Sequence, residues 1–265
     1  IQVATHHAAI YFLLNNKGAI ASGYLADIVV VNNIRDFDIQ QVYKRGKLVF
    51  DGKKVIDFST PTIESLLVEK CHNTFHLDKV TPESFDIKGD LGLICLVSGE
   101  LLTKNLGVAN HIDVEKDILK IACVERHKNT NHIGVGYVKG YSLKSGAVAT
   151  SIAHDSHNII TVGCSDSDIA IAVNAIKDNN GGIVVVENGE IKALLELPIA
   201  GLMSEEPLKV VNDKLEKAKA SAYSLGVSKN IDPFMTLSFI SLPVIPSLRI
   251  TTKGVFDVDK WKIVE

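Results

Sequence analysis

The chain has 265 residues, 46% of them hydrophobic and 22% charged, with a formal net charge of −3. Those values are ordinary for a soluble globular protein with ample core, and its scattered lysines leave no basic footprint for nucleic acid. No apolar run approaches the length of a membrane span. The four cysteines (Cys71, Cys95, Cys123 and Cys164) are too widely spaced for a metal knuckle or a dense disulfide framework, which predicts a reduced, cytoplasmic chain.

The opening stretch, IQVATHHAAIYFLL, has no starting methionine and no basic head, so it reads as the interior of a longer protein and not as a signal peptide. Residues 3–14 are predicted helical, closed by Asn15, Asn16 and Gly18. A short strand follows at Ala26–Val31, then a hairpin over Ile39–Val49 turning at Arg45–Gly46–Lys47. The Ser/Thr/Pro cluster at 59–62 predicts a linker. Strands are predicted within 90–102, 116–127, Ala147–Ala153 and Ile159–Val162. Ser165–Asp168 supplies the cap of a helix that stops at Gly181–Gly182, and IVVVENGEIKALLEL (183–197) is a hairpin turning at Asn188–Gly189. After Ser204 an amphipathic helix carries Leu208, Val211, Leu215, Ala218, Ala222 and Leu225 on one face and ends at Gly226. The prolines after residue 242 argue against a central strand there. The expected class is α/β, a β-rich segment near residues 15–60 followed by a mixed α/β domain of roughly 200 residues.

The polar stretch HDSHN, His154 to Asn158, lies between two predicted strands. Residue chemistry allows either a turn whose side chains satisfy the backbone or a cluster of imidazoles and a carboxylate facing a cavity. Glu125-Arg126-His127 ends another predicted strand and reads either as a charged cluster near the same cavity or as a surface ion pair. The Gly-rich stretch GVGYVKGYSLKSG, flanked by Lys139 and Lys144, lacks phosphate-loop spacing and is predicted to be a flexible loop. His6 and His7 have no second ligand at helical spacing. His72 and His76 have that spacing but no third ligand, so no metal site is predicted on these residues.

Two sets of motifs carry a family resemblance. GAIASGYLADIVVVNN followed by QVYKRGKLVFDGK resembles the C-terminal part of the small β-sandwich of metal-dependent amidohydrolases. ERHKNTNHIGVGYVKGYSLKSGAVATSIAHDSHNIITVG, GGIVVVENGEIKALLELPIAGLMSEEP and LPVIPSLRITTKGVFDV resemble the C-terminal domain of the bacterial adenine deaminase family. The resemblance implies hydrolysis of adenine to hypoxanthine and ammonia by a metal-activated hydroxide, in purine salvage. It implies the end of a barrel helix at 1–14, a sandwich remnant at 15–60 and the deaminase C-terminal α/β domain at 61–265. The divalent metal, manganese or iron, would be bound by a (β/α)8 barrel whose His-x-His pair is not in this sequence. That missing barrel segment and further copies of the chain are the expected partners, with adenine as substrate. The signature of the zinc-dependent base deaminases is absent as well. On this resemblance His154, Asp155 and His157 are the candidate catalytic residues at the active-site mouth, and Ser156, Asn158, Glu125 and Arg126 the candidate substrate contacts. The alternatives are another amidohydrolase acting on a cyclic amide, or a non-catalytic domain for ligand binding or oligomerisation.

Overall fold

A computed structural model describes residues 1–56, 62–86 and 89–264. The predicted linker at 59–62 lies outside them, apart from Thr62. The chain divides into two compact units, Ile1–Ile63 and Glu64–Glu265.

In the first unit, helix α1 (His6–Tyr11) follows a 3₁₀ turn and is shorter than the predicted 3–14. Leu13 and Asn16 take positive φ, so the chain has left helical geometry by the Asn-Asn pair. Strands β1 (Ile28–Val31), β2 (Ile39–Lys44) and β3 (Lys47–Phe50) form an antiparallel sheet in that order. Arg45 (φ 50°) and Gly46 (φ 78°) make the β2–β3 turn, whose left-handed backbone matches the strand twist. Asp27 fastens that turn, accepting from Lys44 Nζ at 2.8 Å and from the Arg45 amide at 2.9 Å. The Lys44 hydrogen bond, then the Arg45 amide, hold its carboxyl well below the usual carboxylate range. The Ala26–Asp27 pair is therefore a hairpin clamp.

In the second unit, helix α2 (Ser65–His72) precedes strands β4 (Leu91–Leu96), β5 (Thr103–Ala109), β6 (Leu119–Val124), β7 (Ile133–Lys139), β8 (Ala147–Thr150) and β9 (Ile159–Gly163). Helix α3 (Asp166–Asp178) leads to the hairpin β10 (Gly182–Glu187) and β11 (Glu190–Glu196). Helices α4 (Leu208–Ser224) and α5 (Pro233–Ile240) and the small strands β12 (Leu248–Thr251), β13 (Gly254–Asp257) and β14 (Lys262–Ile263) complete the chain. Eight strands form one sheet in the order β11-β10-β8-β9-β6-β7-β4-β5. Every pair in it is antiparallel except β4 with β7.

Strands β6, β8 and β9 are buried along their whole length, which is why they read as mostly apolar runs in which only Lys120, Thr150 and Thr161 are polar. One face of the sheet packs against Ile169, Val173 and Ile176 of α3. The other packs against α4, α5 and the small sheet through Ala222, Leu237, Ile250 and Val255. Leu208, counted in the predicted apolar stripe of α4, is exposed at the start of that helix. The (β/α)8 alternation does not occur among the described residues, and the class is mixed α/β.

One prediction is corrected. The Gly-rich stretch read as a flexible loop begins with a central strand, β7, buried over Gly134–Val138. A Cβ on Gly134 would collide with the Thr251 carbonyl oxygen, and one on Gly136 with the Val255 side chain. These glycines therefore admit the close approach of the small sheet to β7.

Candidate functional site

β8 and β9 are sheet neighbours, and the turn joining them carries the HDSHN stretch. The His157 amide donates to the Ala153 carbonyl at 2.6 Å, closing the turn, and His157 takes φ 51°. The C-terminal half of α5 grips it from one side. Ser238 Oγ donates to the Ile152 carbonyl at 2.6 Å, the His154 amide to the Ser238 carbonyl at 2.8 Å, and Ser241 Oγ to the His154 carbonyl at 3.2 Å. The His154 ring lies 4.8 Å from Phe239 and 5.6 Å from His157, centroid to centroid.

The stretch divides into two groups. Asp155, Ser156 and Asn158 line a cleft of about 360 Å³ whose walls include Cys123, Pro243, Val244, Ile250 and Thr251. Its size and largely apolar walls suit a small ligand held by a few polar groups. Asp155 is exposed there. Asn158 is buried, and its Nδ2 donates to Ser156 Oγ at 3.1 Å. Its Oδ1 has no partner among the described residues, a cost that buried amides rarely bear. Burial raises the Cys123 thiol far above its ordinary value, so it serves as an inert floor. His154 and His157 are not in this lining and form the second group.

The register Val124↔Ile159 between β6 and β9 brings Glu125, Arg126 and His127 alongside the turn. His127 Nε2 donates to the Ser156 carbonyl at 2.6 Å. Glu125 bends back on its own loop, accepting from the His127 amide at 2.6 Å and Thr130 Oγ1 at 2.9 Å. Burial opposes its ionisation, but these hydrogen bonds prevail and keep its pKa below the ordinary value. Arg126 is 2% exposed, beneath the turn. Its Nε donates to the His157 carbonyl at 2.5 Å, Nη1 to the Thr74 carbonyl at 3.0 Å, and Nη2 to the Ala200 carbonyl at 2.9 Å. The guanidinium also lies 4.2 Å from the centroid of the Phe75 ring. Burial lowers its pKa to about 10, which leaves it charged at neutral pH.

His157 is held below the ordinary histidine pKa. Burial is the main cause, followed by His154, Arg126 and His127, with Asp155 opposing. Its Nδ1 accepts the Ala153 amide at 3.2 Å.

The remaining histidines and lysine singled out in the sequence have other partners. His72 ends α2 and pairs with Glu205 at 3.2 Å, while His76 lies beyond the helix and donates its amide to the Arg126 carbonyl. Lys144 Nζ reaches the Val114 carbonyl at 3.3 Å. Sequence reasoning missed Ser238, Phe239 and Ser241, which reach the turn only because α5 packs over β8 and β9. It also missed Gly201, where a Cβ would stand 2.8 Å from the Phe75 ring and 3.0 Å from Arg126 Nη2. The Gly in PIAGLM was the available signal.

A mixed α/β domain presenting a polar turn beside an apolar cleft is thus the setting of the predicted residues. Residues 99–262 match the adenine deaminase C-terminal domain family, and the chain belongs to that family. Residues 1–49 match the amidohydrolase family. Adenine deaminase 2 of Carboxydothermus hydrogenoformans is 42% identical over 274 residues, covering 100% of this chain and 47% of that relative. Adenine deaminases of Thermosipho africanus and Clostridium acetobutylicum are 42% and 40% identical, each over 100% of this chain and 47% and 48% of theirs. The chain spans about half the length of these relatives. The amidohydrolase match implies a divalent metal in general. Among the described residues no three His, Cys, Asp or Glu side chains converge to hold one. No described helix is long and apolar enough to cross a membrane.

Proposed function

We propose that the chain is the C-terminal part of an adenine deaminase and that its cleft beside the HDSHN turn contacts the base. The family match over residues 99–262 carries this reading. In it, residues 15–60 belong to the amidohydrolase sandwich and 61–265 to a domain closing over a (β/α)8 barrel that binds manganese or iron. The assembly is a cytoplasmic homo-oligomer serving purine salvage. Adenine is flat, apolar on its faces and polar at its edges. Pro243, Val244 and Ile250 offer apolar walls, while Asp155 accepts from an amine or ring N–H and Ser156 and Asn158 address ring nitrogens.

The reading is tested by titrating adenine into the isotopically labelled chain and following its amide resonances. Perturbation confined to Asp155–Asn158 and Thr251–Thr252 is expected, and Asp155→Ala should weaken it roughly ten- to a hundred-fold, the loss of one hydrogen bond to a charged group. Perturbation elsewhere, or none at millimolar adenine, overturns it.

A further inference from the structure

A buried arginine without a carboxylate partner needs an explanation. Arg126 makes no ion pair among the described residues, and the adjacent Glu125 carboxylate is taken up by its own loop. The guanidinium instead spends its donors on backbone carbonyls from three separate segments, at Thr74, His157 and Ala200. A cation desolvated to this degree is expensive unless its hydrogen bonds are satisfied, and the planar fork is what satisfies several carbonyls at once. One of those carbonyls belongs to His157, whose left-handed backbone lets Nδ1 meet the Ala153 amide. An N–H donor facing Nδ1 requires a lone pair there, so the imidazole proton sits on Nε2. Nε2 has no partner among the described residues, and the ring is partly exposed.

We infer that Arg126 is a positioning residue, which from beneath the turn holds His157 as a neutral imidazole with its proton on Nε2, so that the turn beside the cleft presents a hydrogen-bond donor and not a base. The charged and titratable groups bearing on His157 are consistent with this: His154 in the same turn, Arg126 and His127 after β6 all disfavour a second proton, and only Asp155 favours it. The role as a donor to substrate rests on the adenine reading above. The state of His157 does not.

The test is long-range ¹H–¹⁵N NMR of the imidazoles in the 265-residue chain, across pH. In the wild type His157 is expected to show the Nε2–H form and to titrate below ordinary histidine. That measurement needs no variant. In Arg126→Gln its pKa should move up toward the ordinary value and the Nδ1–H form should appear. Arg126→Lys keeps the charge but not the fork, so it should restore the low pKa while leaving the tautomers mixed. An Nδ1–H form or an ordinary pKa in the wild type overturns the inference. So does a folded Arg126→Gln or Arg126→Lys chain that differs only in melting temperature, because that would make the arginine a structural staple alone. Adenine added to the same samples separates the two readings. No response at the imidazole of a wild-type His157 in the Nε2–H form removes the donor role and leaves the positioning role standing, while the cleft amides of Asp155, Ser156 and Asn158 report on the adenine reading separately.

Discussion

At the scale of single residues, neighbours in the HDSHN stretch have different duties. Asp155 is exposed on the cleft, so Asp155→Ala should leave stability within about 0.5 kcal/mol while removing the acceptor offered to a ligand. His154 packs on Phe239, and its backbone is tied at both ends to α5. His154→Ala should therefore cost about 1 kcal/mol from lost ring contact, seen as a lower denaturation midpoint at unchanged m-value. His157 sets a pH dependence. It binds its proton less readily in the folded chain than in the unfolded one, where the pKa is about 6.5. Its contribution to stability is thus complete above that value and is lost as pH falls from it toward the lower folded pKa. Denaturation curves across that window should be flatter for His157→Gln than for the wild type.

At the scale of elements, the small sheet and α3 are attached to the large sheet by contacts that tolerate little change. Gly134 lies directly beneath the Thr251 carbonyl and the Gly254 backbone, which cannot swing aside as a side chain would. Gly134→Ala should cost about 1–3 kcal/mol through overpacking and should raise amide exchange in β12 and β13 ahead of β8 and β9. Lys120 of β6 is buried, with Nζ 2.7 Å from the Asp166 carboxylate at the start of α3 and 2.9 Å from the Phe85 carbonyl. Asp166→Ala would strand that ammonium in the interior and should cost roughly 3 kcal/mol. Lys120→Met with Asp166→Ala should recover most of that loss, since the pair would then be absent on both sides.

At the scale of the whole molecule, no group of described residues gathers three metal-ligating side chains. The purified, metal-loaded chain should accordingly release no ammonia from adenine in a coupled assay. Steady release would reject the assignment of the hydrolytic step to a barrel outside these residues. Much of this architecture was legible beforehand. The β10–β11 hairpin follows from Asn188–Gly189, and α3 from the Ser165 cap, because those signals act between residues adjacent in sequence. Strand β7 was not legible, since its glycines mimic a loop until the small sheet beneath them is known. Strand β5 escaped notice because it is an edge strand with exposed Leu106 and Val108 and no clean alternation.

The chain by itself determined the mixed α/β class and the placing of HDSHN between two strands. Local capping, turn chemistry and apolar patterning act over a few residues, so they can be read without the fold. Only the tertiary structure decided what those five residues face. The pairing of β6 with β9 delivers Arg126 and His127 to the turn, and α5 delivers Ser238, Phe239 and Ser241 from far along the chain. It also separated Asp155, Ser156 and Asn158, on the cleft, from the paired imidazoles of His154 and His157. Side-chain direction within a closed turn depends on which carbonyls the neighbouring elements leave to be satisfied, and that is set by packing and not by sequence spacing.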